Sequence, residues 1–329
     1  VGTIDIDRLR ELVEGLADGT IDSRDADRRL REIKRTPRRF SVLAVSVASA
    51  VLASSVAVMI GASPAAAVIT VLVVLAVTGV NRVHAGFDLP EFYGNAINAL
   101  VATVLAGLAY AVATLAGSPL GEQDFAFIVA GGIVAMLPGR TMAAAIEDVL
   151  FGFPLTGAGR LLSVLVALMG LIIGIGAGLK VMLWITTVLD TQFVSPTVLE
   201  LRTDQGALVT ALLGALFVGL SAAVTVQSRA QLILPTGLLS VGAATIGAIL
   251  QRSLEFGVIT ATGFAAIALG AVGRVVAARL RVPSMVIIVP ASFALLPGLT
   301  IFRGLYELVA VGGASAGSLT IQSGLTTLL

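Results

Sequence analysis

A succession of long apolar runs, separated by short polar connections, constrains this chain more than any other feature. Ten runs can be read: Phe40–Ile60, Pro64–Val80, Gly94–Gly117, Phe125–Leu150, Arg160–Leu189, Gly206–Val226, Gln231–Leu250, Phe256–Ala277, Pro283–Val311 and Ser315–Leu329. All but the last are near the ~20 residues that a helix needs to cross the hydrocarbon of a bilayer. No soluble core hides so much apolar surface. The chain of 329 residues is 57% hydrophobic and 12% charged, against about 25% charged in a soluble domain. In lipid, backbone polar groups must be satisfied within each segment, so runs of this length read as helices. The expected fold class is an all-α polytopic membrane protein with ten transmembrane helices. The tenth run is short, so it either continues past Leu329 or is half a span.

The few charges are unevenly spread. Residues 1–39 hold ten of the 21 Lys+Arg and nine of the 20 Asp+Glu. Ile6, Leu9, Leu12, Val13 and Leu16 recur at helical spacing, and Asp18-Gly19 ends that helix. Ser23 is placed to cap a second helix carrying Ala26, Leu30 and Ile33 on one face, which Pro37 stops. Residues 1–39 are thus expected to be a cytoplasmic helical hairpin, the end of a truncated soluble domain. The first residue is Val, which points to a start inside a longer protein. The Lys34–Arg39 cluster sits directly before the first apolar run, so the positive-inside rule puts the N-terminus in the cytoplasm. With that orientation Arg82, His84, Arg160, Arg229, Arg274, Arg279 and Arg281 fall inside, while Arg202 and Arg252 fall outside.

Several chemistries are excluded. There is no Cys, and His84 is the one His, so thiolate and multi-histidine metal sites cannot form. Neither Lys34 nor Lys180 follows a Gly, so no P-loop exists. No Gly-x-Ser-Gly motif is present. No metal, cofactor, nucleic acid or catalytic residue is expected, and the chain is read as something other than an enzyme.

The functional signal is an internal repeat. Ala135-Met-Leu-Pro-Gly-Arg-Thr141 matches Ala294-Leu-Leu-Pro-Gly-Leu-Thr300 at five of seven positions, at an offset of 159 in the numbering. The same offset places Asp148 on Glu307 and Gly131 on Pro290, and the third run falls on the eighth. Five segments per half is an odd number, so the second half enters the membrane from the opposite side. That is an inverted repeat, as in many secondary transporters, with broken fourth and ninth helices. The expected halves are 40–190 and 205–329.

Leu-Pro-Gly interrupts an apolar helix, because proline lacks the amide donor and glycine frees the backbone. A half-helix restarting at Gly139 and Thr141, or at Gly298 and Thr300, turns amides and a positive dipole end toward an anion. Asp148 and Glu307 lie two turns further along the same face. A carboxylate at the amides and an ammonium at the acid would suit a zwitterion, and a protonatable acid could couple to protons. The alternative is a simple kink with acids in the loops. Arg140 and Arg303 could bind a carboxylate, or Arg303 could pair with Glu307 at i,i+4. Asn98 could line the site, or join Asn95 in interhelical hydrogen bonds. Lys180 near Trp184 reads as snorkelling. Gly170-x3-Gly174-x3-Gly178 and Gly313-x3-Gly317 read as close helix packing, and such glycine-rich faces permit a homodimer.

The chain resembles the bacterial threonine/serine exporter (ThrE-type) family, especially its actinobacterial members. The likeness lies in Ile6-Asp7-Arg8-Leu9 and Ala26–Ile33, then in Ala130–Gly139, Ile146–Gly152 and Arg160-Leu161. It continues in Arg279–Pro283 and in Leu296–Gly304, the most specific stretch. The resemblance covers nearly the whole chain. It implies ten helices and export of L-threonine and L-serine driven by the proton motive force, from the bacterial cytoplasmic membrane. Protons and membrane lipids are then the other partners. Relatives built from split halves are linked to dicarboxylate export, which leaves a succinate-like substrate as the alternative. A passive channel is a further reading.

Overall fold

The computed structural model describes residues 12–295, apart from 14, 17, 36–38, 88, 118–119, 122, 135 and 189–207. The second Pro-Gly break, the tenth segment and the Ile6–Leu9 turn lie outside the described residues. Within them are eleven α-helices. In chain order these are α1 Ser23–Arg35, α2 Val42–Ile60, α3 Pro64–His84, α4 Glu91–Leu115, α5 Asp124–Val134 and α6 Gly139–Leu150. Then come α7 Pro154–Val188, α8 Leu208–Thr225, α9 Ala230–Ser253, α10 Val258–Leu280 and α11 Met285–Ser292. Seven of them (α2, α3, α4, α7, α8, α9 and α10) are long and apolar enough to cross a membrane. Asp124–Val134 and Met285–Leu295 are shorter apolar helices at the start of the expected fourth and ninth segments.

The hairpin before the membrane is small. Gly19 ends its first helix at φ +69°, a region open to glycine. Ala26 and Leu12 are buried against each other, with Ile21 and Leu30 beside them. Asp25 pairs with Arg28 at 3.0 Å, and Asp27 with Arg31. The hydrogen bond that Arg31 donates to Asp27, and then the carboxylate's charge, hold the Arg31 guanidinium above its ordinary pKa range.

The membrane helices pack in two similar sets. In the first, α2 touches α3 and α5, α3 touches α4 and α5, and α4 touches α5. In the second, α8 touches α9 and α11, α9 touches α10 and α11, and α10 touches α11. The burial registers agree in detail. Ala66, Thr70, Val74 and Val77 of α3 are buried, and so are Leu232, Thr236, Ser240 and Ala243 of α9, in the same spacing along the chain. Thr70 and Thr236 both donate back to the carbonyl four residues earlier, at 2.8 and 2.7 Å. The turns agree too. Gly61 and Gln227 are both left-handed, at φ +116° and +62°. The amides of Gly61 and Ala62 donate to Val58 and Ala57, and those of Gln227 and Ser228 to Val224 and Ala223. At these helices Ala66 answers to Leu232, an offset of 166 in the numbering, whereas the Pro-Gly motifs repeat at 159. The connection between α4 and α5 is longer than that between α10 and α11, which absorbs part of the difference.

The two sets meet where α2 crosses α8. A β-carbon on Gly214, near the start of α8, would lie 2.6 Å from Met59 and 2.9 Å from the Ser55 carbonyl, near the end of α2. At the other end the Phe40 amide donates to Gln227 Oε1 at 2.9 Å, and Gln227 Nε2 donates to the Phe40 carbonyl at 3.4 Å. The two helices are therefore antiparallel. A second tight seam joins α4 to α7. β-carbons on Gly170, Gly174 and Gly178 would lie 2.5, 2.2 and 3.1 Å from the carbonyl oxygens of Phe92, Ala96 and Leu100. The helices run parallel with matching steps of four, and glycine lets the backbones approach this closely. This glycine face is thus filled within the chain. It is not open for the homodimer contact that sequence reasoning allowed it.

Candidate functional site

The fourth segment is broken as expected. Every residue of α5 from Asp124 to Ile133 is buried. This half-helix threads the middle of the first set, between α2, α3 and α4. Its 11 residues rise about 16 Å, roughly half of a ~30 Å hydrocarbon core. Beyond Val134 the chain makes single turn bonds, from the Met136 amide to Ile133 at 2.8 Å and from the Leu137 amide to Val134 at 3.2 Å. Pro138 follows at φ −79°, ψ 43°, with no side chain capping the helix that starts at Gly139. The Gly139 amide turns back to the Leu137 carbonyl at 2.8 Å. The other amides of a first helical turn must look outside the helix for partners.

The break faces the other half of the molecule. A β-carbon on Gly139 would lie 3.6 Å from the ring of Phe293, four residues before Pro297. Val134 and Phe293, equivalent under the Pro-Gly repeat, border one apolar cluster. Its buried members include Leu52 and Val218, equivalent under the register of the earlier helices, with Val56, Ala222 and Ala294. Ser240 of α9 donates to the Ala291 carbonyl of α11 at 3.1 Å, fixing that second half-helix to its neighbour.

The predicted site residues divide. Gly139 and Arg140 form the first turn of α6, and Thr141 is exposed on it. Asp148 is not left open. Its Oδ2 lies 3.0 Å from Arg160 of α7. This Oδ2 is buried and makes no well-directed hydrogen bond, so the contact is an ion pair by proximity. Arg160 also donates to the Ala144 carbonyl at 3.5 Å. Asn98 is buried and donates to Asn81 Oδ1 of α3 at 3.2 Å, while Asn95 reaches the Ala167 carbonyl at 3.5 Å. Both make the interhelical bonds considered above. Gly298, Thr300, Arg303 and Glu307 lie outside the described residues.

Asp124 stands one residue before the run read from Phe125 and is given no role there. It is buried, and its two carboxylate oxygens accept from the backbone amides of Ser63 at 2.9 Å and Gly121 at 2.8 Å. The start of α5 is thereby tied to the α2–α3 turn. Its position at the head of an apolar half-helix was the available signal. Among the described residues no cluster of His, Cys, Asp and Glu could hold a metal ion.

Among the described residues, an all-helical fold with seven long apolar helices and one interrupted apolar helix is that of a multi-pass membrane protein. Two family models place it further. The threonine/serine exporter (ThrE) model matches residues 3–182, and a second ThrE exporter model matches residues 209–329. The chain belongs to the threonine/serine exporter family, which is a family of transporters and not of enzymes. It is 23% identical over 302 residues to the "Threonine/serine exporter" of Corynebacterium glutamicum, covering 92% of this chain and 59% of that one. It is 27% identical over 320 residues to the "Probable threonine/serine exporter" of Mycobacterium tuberculosis, covering 96% of this chain and 58% of that one. The chain therefore spans about three fifths of the length of these relatives. No solved structure matches it.

Proposed function

We propose that this chain is the membrane part of a secondary exporter of L-threonine and L-serine, driven by the proton motive force. It works by alternating access of two inverted five-helix repeats, 40–190 and 205–329. It sits in the bacterial cytoplasmic membrane with the N-terminus inside. One observation carries this reading: Val134 and Phe293, at equivalent places before the two Pro-Gly motifs, pack against one apolar cluster at the antiparallel crossing of α2 and α8. An inverted repeat requires its first and sixth segments to run oppositely, and a pseudo-twofold axis brings equivalent residues together. The likeness to curated exporters supplies the substrate class.

In this scheme the first turn at Gly139–Thr141, and its counterpart at Gly298–Thr300, receives the substrate carboxylate on its outward-facing amides. Each half-helix carries an acid and is served by an arginine. These are Asp148 of the first, paired with Arg160 of α7, and Glu307 with Arg303, four residues before it in the sequence, after the second Pro-Gly. Protonation of the acid releases its arginine, and this is the step that couples protons to transport. Arg140 and Arg303 add positive charge near the carboxylate site. Asn98 keeps α4 against α3 beside it. The test is uptake of labelled threonine by proteoliposomes holding the full-length protein under an imposed proton gradient. Uptake that saturates, accumulates against a gradient and is competed by serine is expected. No uptake above empty liposomes overturns the reading, and competition by succinate instead of serine moves the substrate to dicarboxylates.

A further inference from the structure

Helices α6 and α7 form an antiparallel hairpin closed by Phe151–Phe153. A β-carbon on Gly157 would lie 2.7 Å from the Ala145 carbonyl and 2.5 Å from Val149, so the two helices are in close contact. The tip is the unusual part. Leu150, Phe151, Phe153 and Leu155 are 79%, 73%, 63% and 88% exposed. No charged residue lies in the eleven positions between Asp148 and Arg160. Two other connections are flanked by charge. The α3–α4 connection has Arg82, His84, Asp88 and Glu91, and the α10–α11 connection follows Arg279 and Arg281.

The hairpin also reaches past its neighbour. The contact of Gly170 with Phe92, in the first turn of α4, leaves Pro154–Met169 beyond the start of α4. Sixteen helical residues extend about 24 Å. Val164, Ala167 and Leu168 are buried on its inner side, but standing upright this stretch would hold its outer apolar side and an apolar tip in water. An apolar stripe along α7 points to the occupant of that surface. Leu155, Leu162, Val166, Met169 and Ile173 are all exposed and follow one another at helical spacing. The stripe continues from the long apolar part of α7 toward the tip.

We propose that the α6–α7 hairpin is an interfacial membrane anchor. Its tip, with Phe151, Phe153 and Leu155, is buried in the headgroup–acyl boundary of one leaflet, and α7 leans so that its first turns lie in the bilayer. Such a placement suits an amphipathic helix with aromatic and leucine residues on its outer side. Arg160, bound to Asp148 just behind the tip, has the reach to keep its guanidinium at headgroup level. The half-helix that starts at the Pro138 break is thereby held to the lipid at its far end. This placement concerns the membrane alone and does not depend on which substrate is carried.

This chain contains no cysteine, so it adds no background of its own to a single-cysteine variant. We would label Phe151→Cys and Leu155→Cys in the full-length protein in liposomes. Ile173→Cys is the lipid-facing reference and Arg28→Cys the water-facing one. Nitroxide relaxation by oxygen and by a water-soluble nickel chelate is then compared. The anchor requires oxygen relaxation at 151 and 155 near that at 173, with loss of the nickel effect seen at 28. Nickel relaxation equal to that at 28 places the hairpin in water and overturns the proposal. Shielding from both reagents shows that protein covers the tip, either a second copy or another part of the chain, and overturns it equally.

Discussion

Gly174 has no room for a side chain, since a β-carbon there would lie 2.2 Å from the Ala96 carbonyl and 2.8 Å from Ala99. Gly174→Ala should therefore pry α4 from α7 and cost about 1–3 kcal/mol, the usual penalty of overpacking. Gly176, two residues on, has nothing within 4 Å of where a methyl group would sit, so Gly176→Ala should leave the melting temperature in detergent nearly unchanged. A comparable loss from both would show that the glycine seam is not what limits stability. Asp124 makes a second residue-level case. Asn keeps one oxygen acceptor, so in Asp124→Asn either the Ser63 or the Gly121 amide loses its partner. Losing one such part-buried hydrogen bond costs about 1 kcal/mol, to be read from thermal unfolding. The glycine seam was legible in the sequence because small residues at steps of four admit a close neighbour. The Asp124 clasp was not, because its partners are backbone amides, which no side-chain pattern marks.

Among the elements, the broken helix is the one whose origin is clearest. Leu-Pro-Gly removes a donor and loosens the chain, and α5 ends at Val134 with α6 starting at Gly139. Its surroundings then make the break tolerable, since α5 is buried on every side. Helix bounds followed the apolar runs closely, as with Val42–Ile60 for a run read from Phe40 to Ile60. Helix α7 is the exception. It begins at Pro154, not at Arg160, because proline is favoured in a first helical turn and Arg160 is accommodated by Asp148. That pair yields a prediction for the element. Asp148→Asn and Arg160→Gln should each slow proton-driven threonine uptake in proteoliposomes, and the double variant should cost less than the product of the two. Independent, multiplicative losses would show that the two residues do not act together.

At the scale of the molecule, the two sets of helices should enter the membrane from opposite sides. The α2–α3 and α8–α9 turns share one backbone geometry, so an inverted arrangement puts them on opposite faces. Ala62→Cys and Arg229→Cys should react with an impermeant maleimide from opposite sides of oriented vesicles. Labelling of both from one side would make the repeat parallel and remove the pseudo-twofold axis. Sequence by itself determined the all-helical membrane class, seven long apolar spans and the place of the first break. These follow from local physics: the length of an apolar run, the missing amide of proline, and the cost of charge in lipid. It also marked the repeat at the Pro-Gly motifs, where five of seven positions agree. Tertiary structure alone decided that the register shifts at the earlier helices, where Thr70 answers to Thr236. It decided as well that α2 crosses α8 antiparallel, that Gly139 faces Phe293, and that Asp148 is held by Arg160. Those facts depend on which faces meet across long separations in the chain. An apolar helix whose faces are all alike in composition carries no mark of its partner, so only packing selects it.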